Sequence, residues 1–316
     1  MGWGTITTSL TAQITLKLTG IRMIRQMRAM RHRILFLSFI FGAGLLPAPS
    51  AHAAIHLASF DAFEYGFRGP DRIPPGLTTI QIVNKGKELH HIQILKLGKG
   101  KTAKDFTAAM NAAPTRSPAW VHFLGGPNAV VPGDQAATSQ RLTSGTYLLV
   151  CVIPDTTGTP HFARGMIKTL IVSAGDAPPT PVIRPDVIIT QLDFRFALST
   201  PITAGTRTVQ VINQGTQVHE VVVVRLPAGG SIKDFAEAFT PGAPLAGPPP
   251  GTPIGGLTGI EGGAQGWFTM TFTPGRYGLV CFSSNPETGA PHFTKGMLTE
   301  FDVKEGPSAP APAPGR

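Results

Sequence analysis

One eight-residue stretch occurs twice in this chain, as Thr159-Pro160-His161-Phe162-Ala163-Arg164-Gly165-Met166 and as Ala290-Pro291-His292-Phe293-Thr294-Lys295-Gly296-Met297. In both copies a histidine precedes a methionine by five positions, with Pro before the His and Gly before the Met. Upstream of each, at the end of an apolar run, stands a cysteine: Cys151 after Tyr147-Leu-Leu-Val150, Cys281 after Tyr277-Gly-Leu-Val280. The chain has 2 cysteines, so each half owns one. Any fold must therefore be built twice on one plan, and each copy must bring a thiol, an imidazole and a thioether into the same order.

The duplication extends through the rest of the chain. The first copy runs from Ile55 through Leu77-Thr-Thr-Ile-Gln-Ile-Val83, a turn at Asn84-Lys-Gly86, and His90-His-Ile-Gln-Ile-Leu-Lys96. The second repeats this with Val187–Leu192, Arg207–Ile212, Asn213-Gln-Gly215 and His219-Glu-Val-Val-Val-Val-Arg225. Alternating or continuous β-branched runs joined by Asn/Gly turns predict strands and hairpins. Thr102–Met110 and Ser231–Phe239 predict one short helix per copy, each with Ser or Thr at its start and Asp three residues on. With 37 glycines, 30 prolines and 14% charged residues, the composition leans the same way. The expected fold class is all-β: two tandem Greek-key β-sandwich domains of about 120 residues, each with a short helix. The expected boundaries are 54–175 and 183–304, with a linker at 176–182 and a disordered Pro/Ala tail at 305–316.

The net charge of +9 calls for a location. Residues 1–53 hold Lys17, Arg22, Arg25, Arg28, Arg31 and Arg33 and no acid, so removing these six leaves +3 with no basic run. Nucleic-acid binding is excluded on that distribution. The same segment reads as a leader: four arginines, an apolar run from Ile34 to Leu46, then Ala51-His52-Ala53. Positive, apolar and A-x-A regions in that order predict a signal peptide cleaved after Ala53, hence a periplasmic or secreted protein. The apolar run is short for a membrane span, and no cysteine follows it to take a lipid, so no stable membrane anchor is expected.

Export changes how the cysteines read. No disulfide can form within a half, and a bridge between Cys151 and Cys281 is the alternative to two unpaired thiols. An unpaired thiol in an oxidising compartment favours ligation by a metal. Each half offers His (90 or 219), Cys (151 or 281), His (161 or 292) and Met (166 or 297), and strand ends of a sandwich can bring them to one pole. A thiolate and two imidazoles with a weak axial thioether accommodate both Cu(I) and Cu(II), whereas Met is a poor ligand for zinc. Singly, a histidine at a strand start is a surface residue and a methionine before a strand is core; the metal reading rests on four such residues in order, twice. A metal-free structural sandwich remains the alternative. His91 aligns with Glu220 and reads as a neighbour. His52, His56 and His122 read as incidental, and Trp120 and Trp267 as packing. Asn84, Asn213, Pro160, Pro291, Gly165 and Gly296 are candidates for fixing the ligand loops.

At these residues the chain resembles the cupredoxin (type 1 blue copper, plastocyanin/azurin-like) family, over essentially all of 55–303. The segments that carry the resemblance are Asn84-x-Gly86…His90, Cys151…Pro160-His161…Gly165-Met166 and their second copies. It implies one mononuclear copper per domain, bound by His90, Cys151, His161 and Met166 and by His219, Cys281, His292 and Met297, with electrons passed between redox partner proteins. The Cys-to-His loop is longer than in the small electron carriers and nearer to that of two-domain copper nitrite reductases. Those enzymes need a second copper with a His just before the Cys, where this chain has Val150 and Val280. Multicopper oxidases need His-x-His and His-Cys-His segments, and neither occurs. The expectation is a copper carrier that is not an enzyme, with copper storage or delivery as the rival and an oxidoreductase requiring a second metal site.

Overall fold

A computed structural model describes residues 55–113, 116–239 and 249–305. The expected leader at 1–53 and, Glu305 apart, the tail at 305–316 lie outside the described residues. The first half contributes β1 (His56–Phe63), β2 (Gly66–Arg68), β3 (Arg72–Ile73), β4 (Gly76–Asn84) and β5 (Gln93–Leu97). Helix α1 (Ala103–Ala112) leads to β6 (Val121–Phe123), β7 (Gln135–Leu142), β8 (Gly145–Val150) and β9 (Ile167–Val172). The second half repeats the plan with β10 (Val187–Leu192), β11 (Arg195–Leu198), β12 (Gly205–Asn213) and β13 (His219–Leu226). Helix α2 (Ile232–Glu237) is followed by β14 (Thr252–Ile260), β15 (Gln265–Phe272), β16 (Gly275–Val280) and β17 (Leu298–Val303).

The period-two pattern decides which faces are buried. In β4 the side chains of Ile80, Ile82 and Asn84 alternate inward, and in β12 Val209, Val211 and Asn213 do the same. These faces pack on the inner faces of β8 and β16, with Tyr147 and Leu149 in one core and Tyr277 and Leu279 in the other. The fold is the expected all-β sandwich, and consecutive strands cross between its sheets, as from β4 to β5 and from β7 to β8. Each helix starts at its expected cap: Thr102 and Asp105 form a reciprocal capping box, and Ser231 accepts from the Asp234 N–H. Each copy also closes one corner with a buried tyrosine. Tyr147 Oη donates to Thr143 O at 2.7 Å, and Tyr277 Oη donates to Thr273 O at 2.9 Å.

The halves are joined by more than a connecting segment. One eight-stranded sheet, in the order β11-β10-β12-β15-β7-β4-β1-β2, runs through both. The seam is antiparallel, with Phe268 opposite Thr138 and Trp267 opposite Ser139. A second seam pairs Leu124 with Ile260, Pro127 with Leu257 and Val130 with Ile254. Because Leu257 is the copy of Pro127, and Ile260 and Ile254 are the copies of Val130 and Leu124, this pairing is self-complementary, as at an isologous two-fold contact. Gly126 and Gly256 make the close approach possible: at φ +137° and +113°, a Cβ on either would lie 2.1 Å from the carbonyl oxygen of Ile92 or Val221.

Candidate metal centres

The pieces of the repeated motif converge at one end of each sandwich. His90 Nδ1 lies 3.2 Å from His161 Nδ1, and Cys151 Sγ lies 3.5 Å from His161 Nδ1. In the second half His219 Nδ1 and His292 Nδ1 are 3.0 Å apart, with Cys281 Sγ at 4.0 and 3.6 Å from them. In each trio the potential ligand atoms lie within 4.8 Å of one another, and all six residues are buried. The two cysteines are free thiols in separate sites, which removes the disulfide alternative.

Local structure explains the convergence. Asn84 closes a short turn by accepting from the Gly86 N–H, and its amide donates to Glu88 O and Val130 O, fixing the loop that delivers His90. Asn213 repeats these bonds with Gly215, Gln217 and Ile260. Past each cysteine the chain forms a single 3₁₀ turn, at His161–Arg164 and at His292–Lys295. Gly165 and Gly296 end those turns at φ +109° and +95°, a left-handed conformation that suits glycine and turns the following N–H back. That N–H, of Met166 or Met297, donates to the carbonyl of His161 or His292, while Cys151 and Cys281 donate to the carbonyls of Met166 and Met297. Both methionines are fully buried, Met166 in the same apolar cluster as Cys151.

Whether these groups suit a metal is decided by the outer ring nitrogens. His90 Nε2 bonds Glu64 Oε1 at 3.1 Å, His219 Nε2 bonds Asp193 Oδ1 at 2.8 Å, and His292 Nε2 bonds Gln217 Oε1 at 2.9 Å. His161 Nε2 sits 2.8 Å from Glu88 Oε2, within ion-pair distance though off the axis of a hydrogen bond. Acceptors at Nε2 of His90, His219 and His292 place those neutral rings' protons there and turn their Nδ1 lone pairs inward, the two Nδ1 atoms of each trio lying about 3 Å apart beside a sulfur. Two facing ring nitrogens beside a thiol whose proton a cation can displace form a hole for a metal ion, and an imidazole backed by a carboxylate is a common arrangement for a metal-bound histidine. Burial pushes both thiols up to about 12. Nearby N–H donors offset this in part: those of His91 and Ile153 at Cys151, and of Glu220 and Ser283 at Cys281. A buried thiol of that kind stays protonated until a metal displaces the proton. Burial likewise lowers His292, to about 4, so the ring is a neutral ligand at ordinary pH.

The repeat did not reveal Glu64, Glu88, Asp193 and Gln217, which hold the ligand-type histidines from outside. The signal available was that Glu64 and Asp193, like Tyr65 and Phe194 beside them, stand 129 positions apart, the spacing that separates His90 from His219. Tyr65 and Phe194 cover the second histidine of each trio, with ring centroids 4.9 and 5.2 Å away. His91 is a neighbour, as expected: its Nε2 accepts from the Val152 N–H at 2.9 Å, and burial drives its pKa down to about 3. His122 is exposed and lies 3.3 Å from Glu261 across the seam.

No protein-family model matches the chain, and no curated protein does. Among solved structures, a dithionite-reduced auracyanin from the photosynthetic bacterium Roseiflexus castenholzii matches at 23% identity and TM-score 0.28, covering 39% of this chain and 100% of its own. A Cu-containing nitrite reductase from Thermus scotoductus matches at 15% identity and TM-score 0.23, covering 80% of this chain and 62% of that one. A blue copper oxidase from Nitrosomonas europaea matches at 14% and TM-score 0.24, covering 80% and 86%. One expectation is corrected here: that the chain is not an enzyme. Structures that match across both halves include a nitrite reductase and oxidases, which are enzymes. Val150, Val280 and the missing histidine pairs speak only to where those enzymes hold further metal, so they exclude no reaction in this chain.

Among the described residues no helix is long and apolar enough to cross a membrane. Each sandwich thus ends in a buried His/Cys/His trio whose ligand atoms could hold a metal ion, with a buried methionine one turn on.

Proposed function

We propose that the chain is an exported electron carrier, with His90, Cys151, His161 and Met166 binding copper in a domain spanning 54–175 and His219, Cys281, His292 and Met297 in a domain spanning 183–304. The observation that carries the reading is the pair of facing, buried Nδ1 atoms in each half, with the His90 and His219 rings held from their far sides. Copper supplies the exchange between Cu(I) and Cu(II). The chain's own residues keep the donors in place: the carboxylates of Glu64 and Asp193 orient the rings, the N–H groups beside each cysteine face its sulfur, and Tyr65 and Phe194 shut out water. Ligands that need not move between oxidation states favour fast one-electron exchange over storage. The unassigned redox partners are exported proteins as well, reached after cleavage at Ala53.

A second reading, a copper oxidoreductase, is favoured by a cavity of about 740 Å³ between the halves, lined in part by His91, Glu220, Phe162 and Phe282. A spectroelectrochemical titration of the mature chain separates the readings. Two coppers that cycle reversibly by one electron each, with no metal lost, support the carrier. Release of copper on reduction supports delivery, and consumption of a small oxidant or reductant in multiple turnovers supports the enzyme.

A further inference from the structure

On β13 one residue breaks the pattern of its face. Period-two alternation puts Glu220, Val222 and Val224 on the same side of the strand, and both valines are buried in an apolar cluster with Phe235 of α2. An acid at the head of that row is out of place, and the repeat does not require it, since the corresponding residue of the first half is His91. Its hydrogen-bond partners are neutral. Asn128 Nδ2 donates to Glu220 Oε2 at 2.9 Å, and the Phe282 N–H donates to Glu220 Oε1 at 3.1 Å. Among the described residues Glu220 forms no ion pair. A carboxylate accepts up to about four hydrogen bonds, so two donors hold it in place and leave capacity for a ligand.

Glu220 is half-buried and lines the cavity of about 740 Å³ between the halves. Phe162 and Val152 of the first half and Phe235 and Phe282 of the second line it as well, the last two with ring centroids 6.5 Å apart. Two other ionisable residues take part. His91 accepts the Val152 N–H at Nε2, so its ring is neutral, and Arg116 is exposed and makes no ion pair with Glu220. A carboxylate set against apolar walls without a paired cation selects what enters. An apolar ligand leaves it unpaired, and an anion faces it directly. A metal ion needs several oxygen, nitrogen or sulfur donors, whereas the groups beside Glu220 are N–H donors and phenyl rings. An ammonium on an apolar body satisfies both the carboxylate and the rings, whose faces are themselves electron-rich.

We propose that this cavity is a binding site for a small organic amine, with the ammonium group on Glu220 and an aromatic or aliphatic body in the space lined by Phe162, Phe235 and Phe282. The step is binding alone: no bond is made or broken. Asn128 and the Phe282 N–H hold the carboxylate in place before the ligand arrives, which lowers the ordering cost of binding. The site needs both halves side by side, since Glu220 and Phe282 come from one and Asn128 and Phe162 from the other. The inference goes beyond the carrier reading and does not rest on either site holding copper.

The test is calorimetric titration of the mature full chain, with copper present and after chelation, using phenethylamine and 2-phenylethanol, which share a body and differ in ammonium against hydroxyl. The expected result is that the parent binds the amine at least about tenfold tighter than the alcohol, and that Glu220→Gln removes this preference while the alcohol's affinity stays within about twofold. Intermolecular NMR contacts should run from the probe's ring to the rings of Phe162 and Phe282. Equal affinities in the parent, no saturable binding, contacts elsewhere, or a preference that survives in Glu220→Gln each overturns the site. Should Glu220→Gln fail to fold, the parent's preference and the contacts decide by themselves. Failure here leaves the carrier reading standing, and a chain that binds the amine but takes up no copper keeps this site and loses that reading.

Discussion

Gly215→Ala isolates the part played by the outer hydrogen bonds. A Cβ at this position would lie 2.4 Å from Asp193 Oδ1, 2.8 Å from His219 Nε2 and 3.1 Å from the Asp193 backbone nitrogen. The methyl group therefore enters the bond that orients the ring. Asp193 cannot easily step aside, because Thr216 donates to it through its N–H at 3.0 Å and through Oγ1 at 2.7 Å. The loss is then the charged hydrogen bond between Asp193 and His219, worth about 1.5–3 kcal/mol. At about 1.4 kcal/mol per tenfold, this is roughly a 10–100-fold weaker copper affinity, the range typical when an outer partner of a metal-binding histidine is removed. The assay is competition for copper against a chelator of known affinity, in a Cys151→Ser background so that only the second site reports. Thermal unfolding of the metal-free chain shows whether the fold itself is altered. An affinity equal to the parent's, with Ala present and the fold intact, would refute the argument that the outer bond holds the site ready.

Other predictions follow from the same geometry. Tyr277→Phe leaves the Thr273 carbonyl and N–H without the phenol that bonds both, and is expected to cost about 1–3 kcal/mol in urea unfolding of the metal-free chain; an unmoved midpoint contradicts the corner's structural role. Gly256→Ala combines φ +113° with a Cβ 2.1 Å from Val221 O, so it should lower the yield of folded chain or cost more than about 2 kcal/mol, whereas Gly229→Ala, at φ +75° with nothing nearby, should cost markedly less. Burial alone would raise the Glu64 carboxyl, but the Lys87 and Glu88 N–H groups and the His90 ring outweigh it and hold it at about 2 against an ordinary 4.5. A depressed carboxyl stabilises the fold above its unfolded value and loses that contribution as pH falls from about 4.5 to about 2, so metal-free Glu64→Gln should lose stability less steeply than the parent across that window. Parallel curves for the two proteins would rule this out.

The ligand-type residues and the sandwich were legible because both rest on local pattern. Period-two burial in β4 and β12 and the Asn-x-Gly turns are set by neighbours in sequence, and the duplication supplied an internal check on every position. The caps at Thr102 and Ser231 were visible for the same reason. What could not be read was anything that depends on which distant backbone comes alongside. Glu64 and Asp193 look like ordinary turn acids until the loops fold back over His90 and His219. The sheet shared through Thr138 and Phe268 depends on which strand of one half comes alongside the other, which no local pattern records. His91 was legible as a neighbour, but its acceptance from the Val152 N–H depends on how the cysteine strand comes alongside.

The central claim is that each half holds one copper through its own thiolate. The most direct measurement is a visible absorption spectrum with copper quantitation on the mature chain, for the parent, Cys151→Ser and Cys281→Ser. The structure predicts an intense thiolate-to-Cu(II) band with two coppers per chain, and each variant losing one copper and its share of the band. A parent that takes up no copper and shows no band would contradict the claim, and would leave the two His/Cys/His clusters as features of the fold alone.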